Sequence, residues 1–222
     1  GLFSLFSIVG MSVTAFLMIF YPAISRHIKR KKLMTILACI SMVGYALMLV
    51  AGFSLPSTML KFWVVTVGYA LSNFGQYGYY LIMMISIINT VEYNEYRTGS
   101  RDEAIITSLR PFLTKMSSAL IVLVTNLSYI IFGVTKYTNQ ISDFENECAR
   151  NLISEQDKIM AIDNVIAGIE PGKTLALLLC MVIVPCVLML LSYFLYKKHY
   201  KLDEEEYDRI CSEIAARKEA KA

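Results

Sequence analysis

The stretch Ser108-Leu-Arg-Pro-Phe-Leu-Thr-Lys-Met-Ser-Ser-Ala119, followed at once by the apolar run Leu120–Val124, decides the fold class. Lys115 lies about fourteen residues beyond Arg101, the last charge that plainly belongs to a loop, so a helix places it roughly 20 Å from that charge. A lysine stem cannot snorkel so far. A cation held at membrane depth is costly and usually faces a polar cavity or a partner charge. The segment therefore predicts an all-α, polytopic transmembrane helix bundle that binds or moves a polar solute.

Composition supports the membrane. Of 222 residues, 56% are hydrophobic and 18% charged, against about 25% charged in an ordinary soluble domain. The apolar residues come in blocks and the charges fall between them, which is the pattern of spanning helices. The net charge of +3, without a dense basic and aromatic patch, gives no support for nucleic acid as a partner. Three of the five cysteines (Cys39, Cys180 and Cys186) lie inside apolar blocks, and Cys148 and Cys211 lie outside them. With no C-x-x-C spacing and two loop histidines, neither a disulfide framework nor a metal site is expected. Because Gly1 opens directly inside an apolar block, the chain reads as a fragment whose N-terminal part is missing.

Five blocks predict five spans, at about residues 2–24, 33–53, 62–91, 104–134 and 174–196. Together with a loop over 136–173 they make a transmembrane bundle over 1–201, and residues 202–222 form a tail. Basic residues in short loops set orientation. Arg26–Lys32, the pair Arg97 and Arg101, and Lys197–Lys201 share one side in a five-helix alternation, so that side and the tail are expected to be cytoplasmic. The acidic 136–173 loop is then external. Over Ile141–Ile169, Ile153, Ile159, Ile162 and Ile166 recur at near-helical spacing, which predicts an external amphipathic helix on the membrane face. The tail, with its Asp203-Glu-Glu-Glu206 start, reads as a solvated charged helix.

Two polar stripes cross the membrane blocks. In the fourth block, Ala104, Ser108, Pro111, Lys115, Ser118, Ala119, Val122 and Asn126 share one face at 3.6 residues per turn. Such a small, polar face suits a cavity wall or a close helix contact. Pro111 withholds a hydrogen bond from the Thr107 carbonyl, which favours a kink below Lys115. Lys115 is either a cavity cation or one half of a structural ion pair. Arg110, about 140° around the helix, either snorkels or faces neighbouring helices. In the third block, Tyr69, Asn73, Gln76, Tyr80 and Met84 form a stripe with Tyr77 at its edge. Rings beside amides suit a sugar. The alternative is helix–helix glue, helped by Gly68, Ser72, Gly75 and Gly78. No Asp or Glu lies within the spans up to Val91 or after Ala104, so a cation site would need carboxylates from elsewhere, and an acid–base pair for chemistry is lacking. An enzyme is therefore not expected.

The loop Ile88-Asn-Thr-Val-Glu-Tyr-Asn-Glu-Tyr-Arg-Thr-Gly-Ser-Arg-Asp-Glu103, followed by Ser108 and Lys115, resembles the signature of the glycoside–pentoside–hexuronide:cation symporters, the melibiose-permease group of the major facilitator superfamily. The resemblance takes in all five blocks, the basic loop at Arg26–Lys32 and the Lys201-Leu-Asp-Glu204 tail. It implies the last five of twelve helices, hence the C-terminal half of such a transporter. It also implies a sugar bound between two helical bundles, with coupling carboxylates for Na+ or H+ in the missing N-terminal bundle. By resemblance, Lys115 is the family's buried lysine near the sugar and cation sites, and Tyr80 a sugar-facing aromatic. Arg110, Pro111 and Thr114 match positions lining the sugar site. Arg110 stands where the family has an amide, Pro111 where it has a hydroxyl, and Asn89 where it has an aspartate; Arg110 favours an acidic sugar such as a hexuronide.

The expected function is thus cation-coupled sugar transport by alternating access, in a bacterial plasma membrane. Lys115, Tyr80, Arg110, Thr114, Asn73, Gln76 and Tyr77 would meet the substrate. Glu92, Glu95, Arg97, Arg101 and Glu103 would form a cytoplasmic gate between bundles. The partners would be the sugar, membrane lipid and the missing bundle. The alternatives are a non-transporting sensor or assembly subunit on the same bundle, and a facilitator-type exporter with a greasier lining.

Overall fold

The computed structural model describes residues 2–56 and 58–220, apart from the side chains of Leu2, Phe3 and Arg26. Within them every regular element is an α-helix: α1 (Leu2–His27), α2 (Arg30–Ser54), α3 (Met59–Thr98), α4 (Glu103–Ile131), α5 (Thr135–Ala149), α6 (Glu155–Ala167), α7 (Pro171–His199) and α8 (Glu204–Glu219). The all-α expectation is met. Four helical segments are long and apolar enough to cross a membrane: Ser4–Ser25, Arg30–Ser54, Glu103–Ile131 and Pro171–His199. The fifth expected span, α3, is ample in length at 40 residues. Its Tyr, Asn, Gln and Gly content makes it less apolar than the other four.

Local chemistry sets the helix ends. α3 stops at Gly99, which adopts the left-handed conformation at φ 76° while its N–H bonds the Glu95 carbonyl. Pro171 opens α7, where a missing N–H costs nothing. Asp203 caps α8 by accepting from the Glu206 N–H at 3.1 Å. The single amphipathic helix expected in the 136–173 loop is instead two, α5 and α6. The chain breaks at Asn151, with φ 58°, and Ser154 starts α6 by accepting from the Asp157 N–H. Ile159 and Ile166 stay more than half exposed.

The chain divides into two compact units, Gly1–Met116 with Val184–Ala222, and Ser117–Ile183. In the first, α2 and α3 pack so closely that backbone meets backbone. A Cβ at Gly44 would lie 2.5 Å from the Gly68 carbonyl oxygen and the Ser72 nitrogen, and one at Gly75 would lie 2.5 Å from the Leu37 oxygen. This is the small-residue packing that dispersion favours where lipid offers no hydrophobic drive. Tyr21, Leu33, Met34, Leu37, Tyr79, Ile82, Met189 and Tyr196 form the adjoining core. Tyrosine hydroxyls tie α7 to it, Tyr79 with Ser192 and Tyr196 with Ser86, both at 2.9 Å. In the second unit, the Ser128 hydroxyl donates to the Val124 carbonyl at 2.7 Å and lies 3.1 Å from the Cys180 sulfur. Val134 and Val182 are its buried apolar residues.

Candidate functional site

The polar stripe of α3 is largely spent on packing. The Asn73 amide donates to the Tyr69 carbonyl one turn below at 3.0 Å. Tyr69 stacks on Phe6 of α1, with ring centroids 4.1 Å apart. The Gln76 amide donates to the Tyr45 hydroxyl of α2. Tyr77 and Tyr80 are exposed at about two-fifths of their surface, and Met84 is half-buried. An open cleft of about 240 Å³ between α1 and α3 is lined by Val9, Val13, Trp63, Thr66, Val67, Ala70, Leu71 and Phe74. Its one hydroxyl, on Thr66, is committed to the Phe62 carbonyl at 2.8 Å. That cleft can solvate hydrocarbon but offers nothing to a sugar hydroxyl.

α4 is the opposite case. It continues as a helix through Pro111, and Ser128 is its one buried residue. Arg110, Thr114 and Lys115 are all exposed. The Thr114 hydroxyl donates to the Arg110 carbonyl at 2.9 Å. Among the described residues no carboxylate lies within ion-pair distance of Arg110 or Lys115. The structure thus gathers Arg110, Thr114 and Lys115 on one helix, while Asn73, Gln76, Tyr77 and Tyr80 lie on another.

The loop between α3 and α4 is an ion-pair cluster. Arg101 reaches Glu103 at 3.0 Å, Glu95 at 3.1 Å and Glu92 at 3.4 Å. Arg97 instead donates to the Tyr93 hydroxyl at 3.3 Å. Glu95 is buried, and its second oxygen accepts from Lys218 of α8 at 2.6 Å. Those partners, Lys218 first and Arg101 next, hold the Glu95 carboxyl below its ordinary range. Glu92 keeps one oxygen buried without a partner among the described residues.

The solvated tail expected from the sequence is corrected here. Ile210 and Ile214 of α8 are buried, with Tyr96, Tyr200 and Tyr207 packed around them. Burying an isoleucine side chain contributes about 1.5–3 kcal/mol, enough to seat a helix whose exposed ion pairs are weak. The readable signal was the pair of isoleucines four apart in a charged helix, facing a tyrosine-rich α3 end. At the start of α8, Glu204 accepts from the Arg30 backbone N–H at 2.5 Å. The Arg30 guanidinium is largely buried. With its amide oxygen turned to Arg30, Asn89 accepts from Nη1 at 2.8 Å and Nη2 at 3.1 Å.

Comparison with known proteins follows the same line. The MFS/sugar transport protein family matches residues 1–204. The raffinose carrier protein of Pediococcus pentosaceus is 23% identical over 212 residues, 96% of this chain and 28% of that protein. A lactose permease of Lactobacillus delbrueckii subsp. bulgaricus is 28% identical over 116 residues, 52% of this chain and 17% of that protein. A lactose permease of Leuconostoc lactis is 29% identical over 99 residues, 45% of this chain and 14% of that protein. The chain therefore spans less than a third of the length of these relatives. The match agrees with the symporter resemblance of the 88–103 loop, and it is to a family of transporters, not of enzymes. Four helices long and apolar enough to cross a membrane and a match running through α1 to α7 lead to one conclusion: the chain belongs to the MFS/sugar transport protein family.

Proposed function

We propose that this chain is part of a sugar:cation symporter that works by alternating access, with α3 as a fifth span beside the four apolar ones. The observation that carries the reading is that Arg110, Thr114 and Lys115 all stand exposed on α4, a helix apolar enough to cross a membrane. Such groups facing lipid would be costly, so in the whole protein they face a polar cavity. Sugar hydroxyls would accept from Lys115 and Arg110, and Tyr80 and Tyr77 would offer rings to sugar C–H faces. Asn73 and Gln76 would set the neighbouring helix rather than hold the sugar directly. The coupling Na+ or H+ would bind carboxylates supplied by the rest of the protein, since the four apolar spans carry only Glu103, at the very start of α4. Glu92, Glu95, Arg97, Arg101 and Glu103 would gate the cytoplasmic side, and the basic Arg26–Lys32 loop would lie there too.

The relatives' names make raffinose and lactose the first sugars to try, and Arg110 adds a hexuronide. The full-length transporter in proteoliposomes should accumulate one of these above its equilibrium level when a Na+ or proton gradient is imposed. Sugar flux indifferent to both gradients would overturn symport. In intact cells, Cys148 should react with an impermeant thiol reagent from outside; labelling only after permeabilisation would reverse the orientation.

A further inference from the structure

Helix α8 begins at Glu204, the residue where the family match ends. Besides the buried Ile210 and Ile214, two unlike sets of polar contacts hold it. At its start, three carboxylates meet three bases in antiparallel order: Asp203 with Lys31 at 3.3 Å, Glu204 with Arg30 at 3.8 Å, and Glu205 with Lys29 at 2.7 Å. Glu204 also takes the first N–H of α2, where the helix dipole favours an anion. This end follows α7 after a four-residue link, so its effective concentration is high and it re-forms readily.

The far end lies beyond the whole length of α8 from that link. Lys218 reaches Glu95, and Arg217 donates to the Tyr96 carbonyl at 3.0 Å. The guanidinium groups of Arg217 and Arg209 sit 4.7 and 5.9 Å from the centroid of the Tyr96 ring. Lys218 is 63% exposed, so water can replace it easily. Glu95 is shared, with one oxygen given to Lys218 and the other to Arg101. Whatever takes Glu95 from Lys218 also alters the hold on Arg101, and through it on Glu92 and Glu103.

We propose that α8 is a latch, anchored by the Asp203–Glu205 ladder and releasable at Lys218, which competes with the rest of the transporter for Glu95 and so holds the α3–α4 loop. That this loop is the gate rests on the function proposed above. While α8 is docked, Glu95 and Tyr96 are occupied, and another loop can engage them once Lys218 and Arg217 let go.

The test uses the full-length protein in lipid nanodiscs, with Cys211 as the sole native cysteine and Ile88→Cys added for a spin-label pair. Two distance populations are expected, docked and released. Glu95→Gln and Lys218→Gln should each enlarge the released population several-fold, and the double variant should do no more than the larger single change. The same variants should speed amide hydrogen exchange over residues 93–103. A distribution unmoved by either substitution overturns the latch, as does strict additivity, which would mean that the two residues act apart. Release of α8 with unchanged exchange over 93–103 also overturns it, because the tail would then hold nothing. Neither measurement uses a sugar. A protein that passes both but shows no cation-driven uptake keeps the latch and loses the symport reading.

Discussion

Helices α3 and α4 carry the same kind of sequence signal and meet opposite fates. Each sets polar side chains at helical spacing within a long, charge-poor stretch. In α3 the small members of the pattern press against α2, and the amides bond to a neighbouring turn or to Tyr45. In α4 the face stays exposed along nearly its whole length. The difference lies in the company that the polar residues keep. Gly68, Ser72 and Gly75 let α3 come within backbone contact of α2, and a polar group beside such a seam finds a protein partner. Lys115 shares its face with Ser108, Pro111, Ser118 and Ala119, small residues with no glycine among them, and these stay exposed. A polar stripe interleaved with glycines reads as packing, and one without them reads as a surface open to a solute or a partner.

The sharpest way to break this contrast is Lys115→Ala in the intact transporter. Accumulation of sugar should fall to its equilibrium level while the protein remains in the membrane. Accumulation at the normal level would reduce Lys115 to a structural charge and α4 to a second packing helix. Next in size is Gly75→Val on α3. The added carbons would collide with the Leu37 carbonyl and with Ser41, and overpacking of this kind costs about 1–3 kcal/mol or more. Thermal unfolding should drop by several degrees, and an unchanged midpoint would show that the α2–α3 seam has slack.

Much of this was legible beforehand. The apolar blocks gave α1, α2 and α7 because uncharged runs of that length have few other uses. The 40-residue length of α3 was less legible, since its last turns, with Glu92, Glu95 and Arg97, look like a loop until Gly99 supplies the stop. The seat of α8 was missed because Ile210 and Ile214 are a faint signal among so many charges. Their partner Tyr96 lies more than a hundred residues away, and pairwise docking over that separation leaves no local period to detect. For Lys115 the reading comes from depth and residue type and for Arg110 from the symporter resemblance, because packing marks neither exposed side chain.

Arg110→Gln offers a smaller, more discriminating change. The ratio of affinities for a hexuronide and a neutral sugar should fall about tenfold, or about 1.4 kcal/mol; a constant ratio removes Arg110 from the solute path. The smallest effect concerns pH. The Glu95 carboxyl is held below its usual range by Lys218 and then Arg101. Its contribution to docking is therefore complete above the unfolded value and is lost as pH falls through the lower, folded one. The Cys211–Ile88Cys distance should be the same at pH 7 and pH 5, changing only below the ordinary glutamate value of about 4.3. A shift near pH 6 would implicate a different group.

The backbone contact between α2 and α3 also bears on how the transporter can evolve. With the Gly68 carbonyl where a side chain at position 44 would have to go, and the Leu37 carbonyl beside Gly75, neither helix can accept a larger residue alone. Enlargement on one strand of the seam must be matched by shrinkage on the other. In a lineage of such transporters, positions 37, 41 and 44 should drift in step with 68, 72 and 75. Phe112 and Leu113 of α4 stand exposed instead, and their positions should drift free of that coupling.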